Sequence, residues 1–143
     1  MKIADVNVLL YAIDPTAHHH ERARRWLTAT LSAGEPFGAC WPVLTGFLRI
    51  VTNAGIYEHA LDVDEALDLI DGWLDAPPTT IISATPRHAR ILRSLLTGAG
   101  AAGNLVPDAH LAALAIEHGA TLASFDADFH RFSGLKLEYL AAE

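Results

Sequence analysis

The sequence has one cysteine, no long apolar run and little positive charge. Cys40 is the single cysteine among 143 residues, so the chain cannot form an internal disulfide framework or a zinc site built on several thiolates. No apolar run approaches the roughly 20 residues of a membrane-spanning helix, and Asp5 interrupts the N-terminal segment where a signal peptide has its apolar core. We therefore expect a cytoplasmic protein without a membrane span or a targeting segment.

Positive charge is scarce because 10 Lys and Arg stand against 17 Asp and Glu, which gives a formal net charge of −7. This balance argues against binding nucleic acid through bulk charge. An RNA substrate would have to be held locally, either by clustered arginines or by divalent metal ions that bridge acidic side chains and phosphates. The arginines concentrate in two short segments, at Arg22, Arg24 and Arg25 and at Arg87, Arg90 and Arg93.

The apolar content is sufficient for a folded core, because 51% of the residues are hydrophobic. A chain of this length usually forms one domain, which we expect over residues 1–143. Strand-like and helix-like segments alternate along it. This alternation predicts an α/β fold with a central, mostly parallel sheet flanked by helices.

Hydrophobic periodicity and helix start and stop signals predict the individual elements. The predicted strands begin at residue 2 and cover residues 37–40, 79–84, 120–125 and 135–140. The predicted helices cover residues 21–32, 43–53, 66–74, 89–96 and 109–118. We expect the helix at 43–53 to be buried nearly all round, the strand at 79–84 to be central in the sheet, and the run at 98–104 to be a flexible connector.

Three aspartates occupy positions at which α/β folds bind ligands, outside the carboxyl ends of strands. Asp5 falls near the end of the first strand, Asp126 follows the strand at 120–125, and Asp108 begins a helix. Each of the last two has an ordinary alternative, because Asp108 can cap its helix and Asp126 can form a polar turn with Asp128. Together, however, several carboxylates at one sheet edge repel one another unless a cation neutralises them, and such oxygen ligands suit Mg²⁺ or Mn²⁺.

Three segments together resemble the VapC-type PIN-domain toxins, namely IADVNVLLYAID, WPVLTGFLRIVTN and GNLVPDAHLAALAIEHGATLASFDADF. The last is the most specific, because it combines an acidic residue, an apolar helix ending in His-Gly-Ala, a short strand and an Asp-x-Asp-Phe turn. The resemblance covers nearly the whole chain. It implies a PIN-like fold whose acidic cluster holds one or two Mg²⁺ or Mn²⁺ ions and hydrolyses RNA phosphodiester bonds. It also implies a VapB-type antitoxin as partner and a homodimer.

The resemblance assigns roles to individual residues. Asp5, Asp108 and Asp126 match catalytic metal-binding positions, and Asp128 matches a frequent additional ligand. Asn7 matches the small polar residue that supports the first ligand through a hydrogen bond. A metal-dependent endoribonuclease of the toxin type is therefore the function that the sequence indicates.

Two positions depart from the family pattern. Gly46 stands directly before Phe-Leu-Arg, where the family usually has its second acidic residue, so one ligand is missing. Pro107 replaces the small hydroxyl residue that often precedes the third acid, which removes an amide donor and a hydroxyl. The alternative function is therefore a catalytically weakened or inactive PIN domain that acts mainly as an antitoxin-binding or RNA-binding module. Arg49, on the same predicted helix as Gly46, is a candidate contact to RNA phosphate.

Histidines and tryptophans have ordinary interpretations in this sequence. We expect the run from His18 to His20 to be exposed rather than metal-binding, and His110 to face solvent, with a place in the site as its alternative. Trp26, Trp41 and Trp73 fall at apolar positions, which predicts burial in the core or in a subunit contact.

Overall fold

Five short strands form one parallel sheet in the computed structural model of the protein, which describes residues 1–142. The strands are β1 (Lys2–Ala4), β2 (Phe37–Ala39), β3 (Thr79–Ile81), β4 (Thr121–Ser124) and β5 (Lys136–Tyr139). Their order across the sheet is β3-β2-β1-β4-β5. Because every neighbouring pair is parallel, all five carboxyl ends lie at the same edge. The predicted α/β fold with a mostly parallel sheet is confirmed.

Six α-helices connect and flank the strands within residues 1–142. They are α1 (Val6–Ile13), α2 (His20–Ser32), α3 (Trp41–Val51), α4 (Val63–Asp75), α5 (His88–Ala99) and α6 (Val106–Glu117). Two 3₁₀ turns lie at Gly103–Leu105 and Ala127–Arg131. Across the described part of the chain, no helix combines the length and the apolar character needed to cross a membrane.

The start of α4 shows how the sequence determines a helix boundary. Asp62 accepts a hydrogen bond from Glu65 N at 2.8 Å, and Glu65 accepts one from Asp62 N at 3.2 Å. This capping box satisfies two backbone donors that the first helical turn leaves free. The helix ends before Pro77, which cannot continue it.

The core surrounds the two central strands and α6. Ile3 of β1 and Leu122 of β4 are fully buried, and α6 packs beside them through a series of buried alanines. Trp26 and Trp73 are buried as expected, whereas Trp41 is 47% exposed. Burial of Trp41 in the core is therefore wrong, because it is the first residue of α3, at the carboxyl edge of the sheet. Its alternative, a subunit contact, stays a prediction.

Three further expectations about elements are wrong. Segment 79–84 forms the edge strand β3 rather than a central one, because a β-branched run does not distinguish these positions. Only one face of α3 is buried, since its other face lines a pocket at the carboxyl edge of the sheet. The run at 98–104 completes α5, whose C-cap Gly100 adopts a φ of 66°, and then begins a 3₁₀ turn, so it is not a free connector.

Candidate active site

Asp5 and Asp126 follow adjacent parallel strands and therefore lie at the same edge of the sheet. Asp5 follows β1 and is the N-cap of α1, where its Oδ1 accepts a hydrogen bond from Val6 N at 2.7 Å. Asp126 begins the 3₁₀ turn after β4, where its Oδ1 accepts from Asp128 N at 2.8 Å. Backbone donors thus fix the orientation of both carboxylates.

Ser124, the last residue of β4, joins the two aspartates through its buried hydroxyl. Its Oγ donates to Asp5 Oδ2 at 2.7 Å and accepts from Asp126 N at 3.0 Å. It also accepts from Asn7 Nδ2 at 3.3 Å. The hydrogen bond expected from Asn7 therefore goes to Ser124 rather than to Asp5. Sequence reasoning missed Ser124, although a hydroxyl at the end of an apolar strand was the available signal.

Asp108 and Asp5 line one open pocket of about 600 Å³. Asp108 lies in the first turn of α6, so its helix brings it to the edge at which β1 ends. Gly46 and Arg49 are among the residues of α3 that line the same pocket. The position that lacks an acid is therefore beside the two aspartates.

The aspartates interact electrostatically. Burial, together with the negative charges of Asp5, Asp126 and Asp128, raises the pKa of Asp108 to about 6. Burial also raises the pKa of Asp5, with a smaller contribution from the charge of Asp126, although hydrogen bonds from Ser124 and Val6 oppose the shift. Carboxyl groups whose pKa values are raised by burial and by neighbouring charges are typical of functional sites.

The chemistry of these side chains suits a hard divalent cation, because all four are carboxylates and Mg²⁺ and Mn²⁺ prefer oxygen ligands. Within residues 1–142, no three Asp, Glu, His or Cys side chains lie close enough to bind one ion together. Asp5 and Asp108 therefore share a pocket, and the charges of Asp126 and Asp128 act on Asp108, but the four side chains do not form a closed cage. The pKa of Asp108 is raised by burial and, in addition, by the neighbouring negative charges, and a divalent cation would remove this second contribution. In their chemistry the residues therefore fit such an ion.

Arg49 is the basic residue of this pocket. It lies near the end of α3, and no acidic side chain in the described part of the chain forms a salt bridge with it. By contrast, Arg24 and Arg25 both contact Glu21 on the exposed face of α2. Arg49 is thus the arginine whose position favours a contact with a phosphate in the pocket.

A second polar cluster joins α5 to α6. Glu117 has a fully buried side chain, accepts from Thr85 N at 2.5 Å and contacts His88 Nδ1 at 2.6 Å. Nε2 of His88 in turn contacts Nδ1 of His110 at 2.8 Å. Burial opposes ionisation of Glu117, but the hydrogen bonds from Thr85 and His88 outweigh it and lower its pKa. His110 is therefore partly buried and bonded to α5, so only part of its ring faces solvent.

The run from His18 to His20 is only partly exposed. His19 stacks on Phe125 with ring centroids 4.7 Å apart and an interplanar angle of 22°. His20 Nδ1 lies 2.8 Å from the carbonyl oxygen of Tyr11. These contacts pack the segment before α2 against the residue that follows β4, which gives the run a structural role.

Comparisons with known proteins identify the family. The PIN domain profile matches residues 2–135. The chain is 45% identical over 136 residues to Ribonuclease VapC37 of Mycobacterium tuberculosis, covering 95% of this chain and 94% of that protein. It is 39% identical to Ribonuclease VapC33 of the same species, with 95% of each chain covered.

A solved structure has the same fold. VapBC2 from Rickettsia felis, bound to a DNA fragment from its promoter, superposes with a TM-score of 0.70 at 21% identity and covers 96% of this chain and 97% of that one. The profile match, the two relatives and this superposition agree with one another. The chain belongs to the PIN-domain family, in which it groups with the VapC ribonucleases.

Proposed function

We propose that this chain is a metal-dependent endoribonuclease and the toxin component of a VapBC toxin–antitoxin system, with residues 1–143 forming one PIN domain. The observation that carries the proposal is the electrostatic coupling of four aspartates at one sheet edge, where their charges help to raise the pKa of Asp108 to about 6. The relatives named as ribonucleases support the same activity.

In this proposal, Asp5, Asp108 and Asp126, together with Asp128, hold Mg²⁺ or Mn²⁺. When bound, such an ion neutralises charge on the phosphate and lowers the pKa of a water molecule, which then becomes a better nucleophile. Ser124 has a positioning role, because its hydroxyl donates a hydrogen bond of 2.7 Å to Oδ2 of Asp5 and so fixes the orientation of that carboxylate. A preorganised ligand does not have to be reoriented when substrate binds.

Two side chains of the pocket, Arg49 and Asp108, also act on the substrate. Arg49 binds the phosphate beside the scissile bond, because its guanidinium supplies the positive charge that the chain as a whole lacks. The carboxylate of Asp108, which lines the same pocket, accepts a proton from the attacking water when it is not engaged as a ligand.

The alternative, an inactive binding module, rested on Gly46. All four aspartates of the site are nevertheless present, and the two relatives described above are both named ribonucleases. These observations favour an active enzyme in which the missing acid weakens metal binding. A loss of activity is not needed to account for a glycine at this position.

The partners follow from the same family relationship. The structure of Rickettsia felis VapBC2 is a complex, which supports a VapB-type antitoxin as the protein partner of this chain. We also propose a homodimer, an RNA substrate and a cytoplasmic location. A single cysteine, which is buried, is compatible with a reducing compartment.

An RNA-cleavage assay tests the proposal. Purified wild-type protein should cleave RNA with Mg²⁺ or Mn²⁺ and lose this activity in EDTA. Asp5→Asn should lower the rate at least 100-fold, while Asp71→Asn, which changes an exposed aspartate on α4, should not. Equal rates for wild type and Asp5→Asn, or cleavage that persists in EDTA, would contradict the proposed mechanism.

A further inference from the structure

A groove beside the acidic pocket combines an exposed indole ring, apolar walls and one histidine. It encloses about 270 Å³. It is lined by Trp41 and Pro42 of α3, by Ile81 and the residues that follow β3, and by His110 and Leu114 of α6. The side chains of Trp41 and Ile81 are 47% and 57% exposed, respectively.

This groove is continuous with the acidic pocket. Pro42 lines both, and the same two helices, α3 and α6, provide the walls of both. On α6, Asp108 lines the acidic pocket and His110, two residues later, lines the groove. Because Pro42 lines both, the groove is next to the pocket, within reach of the group that adjoins a phosphate bound there.

The lining of the groove selects a flat, uncharged group. None of the residues that line it is Lys, Arg, Asp or Glu, so a phosphate finds no counter-charge there. Its volume lies below the usual range for small-molecule pockets, about 300–1,000 Å³, which suits a single planar ring system. An exposed indole is the side chain on which nucleobases stack most effectively.

His110 supplies a fixed hydrogen-bonding group at this groove. Its Nδ1 lies 2.8 Å from His88 Nε2, and His88 Nδ1 lies 2.6 Å from the buried Glu117. This chain of contacts holds the ring in one orientation. Nε2 of His110 makes no hydrogen bond within residues 1–142. Since no buried polar side-chain atom in that range lacks a partner, Nε2 is not buried, and solvent or a ligand reaches it.

We propose that the groove binds one unpaired nucleobase of the RNA, stacked on Trp41 and hydrogen-bonded to His110, next to the phosphate held in the acidic pocket. The inference rests on the proposed ribonuclease function and adds a substrate subsite to it. It implies that cleavage prefers unpaired RNA, because a base within a duplex has neither its face nor its pairing edge free.

Binding of single-stranded RNA tests the subsite directly. The probes are the labelled hexaribonucleotides A₆, C₆ and U₆, with the full chain in Ca²⁺ in place of Mg²⁺, and the readouts are fluorescence anisotropy and tryptophan emission. Trp41→Ala should weaken binding of at least one probe by roughly 5- to 100-fold, the range expected for loss of one stacked base. Trp41→Phe should retain most of the affinity but lose the RNA-dependent quenching of tryptophan emission.

Three further variants make the test specific. His110→Gln, which keeps a polar group near the position of Nε2, should bind more tightly than His110→Ala, and His110→Ala should lose roughly 3- to 10-fold in affinity. Ile56→Ala removes an equally exposed apolar side chain, 58% exposed on another part of the surface, and should bind like wild type.

Each negative result has a distinct meaning. If Trp41→Ala binds all three probes as tightly as wild type, the subsite is refuted. If Trp41→Ala binds RNA normally but loses the homodimer or the antitoxin, the groove belongs to a protein partner and the subsite is again refuted. Trp41-dependent binding without any metal-dependent cleavage by wild type would leave the subsite standing and refute the nuclease proposal instead.

Discussion

Gly46 is packed closely against Val6, since a Cβ built on Gly46 would lie 3.1 Å from Val6 Cγ2. Few real Cβ atoms approach a neighbour so closely, and the β-branched Val6 side chain has little rotamer freedom to withdraw. Any side chain at position 46 must therefore displace Val6. The same position also lines the acidic pocket. An acidic side chain at position 46 would therefore affect both the packing against Val6 and the charge of the pocket.

Gly46→Ala tests the packing. Replacing a helical glycine gains about 0.5–1 kcal/mol in helix propensity, but overpacking costs about 1–3 kcal/mol, so we expect a net loss of about 1 kcal/mol. Thermal unfolding should show the melting temperature falling by about 3 °C. In a protein that already carries Val6→Ala, Gly46→Ala should lower stability by less than it does in wild type. If the two substitutions had strictly additive effects, the contact would be excluded as the cause.

Gly46→Glu tests the charge. The new carboxylate would enter the pocket that Asp5 and Asp108 line, so Mn²⁺ affinity should rise about tenfold, equivalent to about 1.4 kcal/mol. Gly46→Gln is the matched control, because it has the same size without the charge. Isothermal titration of both variants measures the difference. Equal affinities would mean that a side chain at position 46 does not reach the ion.

Ser124→Ala should impair metal binding without changing any ligand. The substitution removes the hydroxyl that donates to Asp5 Oδ2, so Mn²⁺ affinity should fall about 10- to 100-fold. It also leaves Asn7 Nδ2 without its acceptor and should cost about 1–3 kcal/mol in stability. Ser94→Ala, at an exposed position of α5, is the control. Unaltered Mn²⁺ affinity in a folded Ser124→Ala protein would remove the positioning role.

The raised pKa of Asp108 predicts how pH affects the metal-free protein. Because the folded-state pKa of about 6 exceeds the ordinary 3.8, this group favours folding below pH 4, and the benefit is lost as pH rises through about 6. Asp108 is half-exposed, so solvent screening reduces the effect to about 1 kcal/mol. In EDTA, Asp108→Asn should gain stability over wild type between pH 4 and 7, and saturating Mn²⁺ should abolish the difference. A gap that does not vary with pH would contradict this account.

The contribution of Glu117 to folding stability should depend on pH in the opposite direction. Its folded-state pKa lies below the ordinary 4.5, so its contribution to stability is present above pH 4.5 and is lost as pH falls through the folded-state pKa. Glu117→Gln should therefore destabilise the protein by about 1–3 kcal/mol at pH 7 and by less at pH 3. Urea unfolding at both pH values measures this, with the exposed Glu58→Gln as control. A larger deficit at pH 3 than at pH 7 would reverse the assigned sign.

The elements were predictable from sequence wherever a local signal was strong. Capping at Asp62, the apolar period of α2 and the turn after β4 each involve residues within a few positions of one another. Strand order was not predictable, because the edge position of β3 depends on its pairing with β2, 42 residues earlier in the chain. A β-branched segment is compatible with either place in a sheet.

The aspartates of the site could be located because each follows a strand or begins a helix. The contacts that support these aspartates could not be located from the sequence. Ser124 reaches Asp5, and His88 reaches both Glu117 and His110, only after distant elements have packed together. The exposure of Trp41 was also hidden, since an apolar residue at the start of a helix has the same local pattern in a core and in a groove.

The parallel pairing of β1 with β4 has a consequence for synthesis. Ile3 pairs with Leu122, which lies 119 residues later in the chain, so the centre of the sheet cannot close until β4 has been synthesised. A chain that terminates before Thr121 lacks Ser124, Asp126 and Asp128 and leaves one side of β1 without a neighbour. Under the proposed function, a partly translated toxin therefore does not harm the ribosome that is making it. Fragments that end before Thr121 would not act as nucleases and would instead be degraded by proteases.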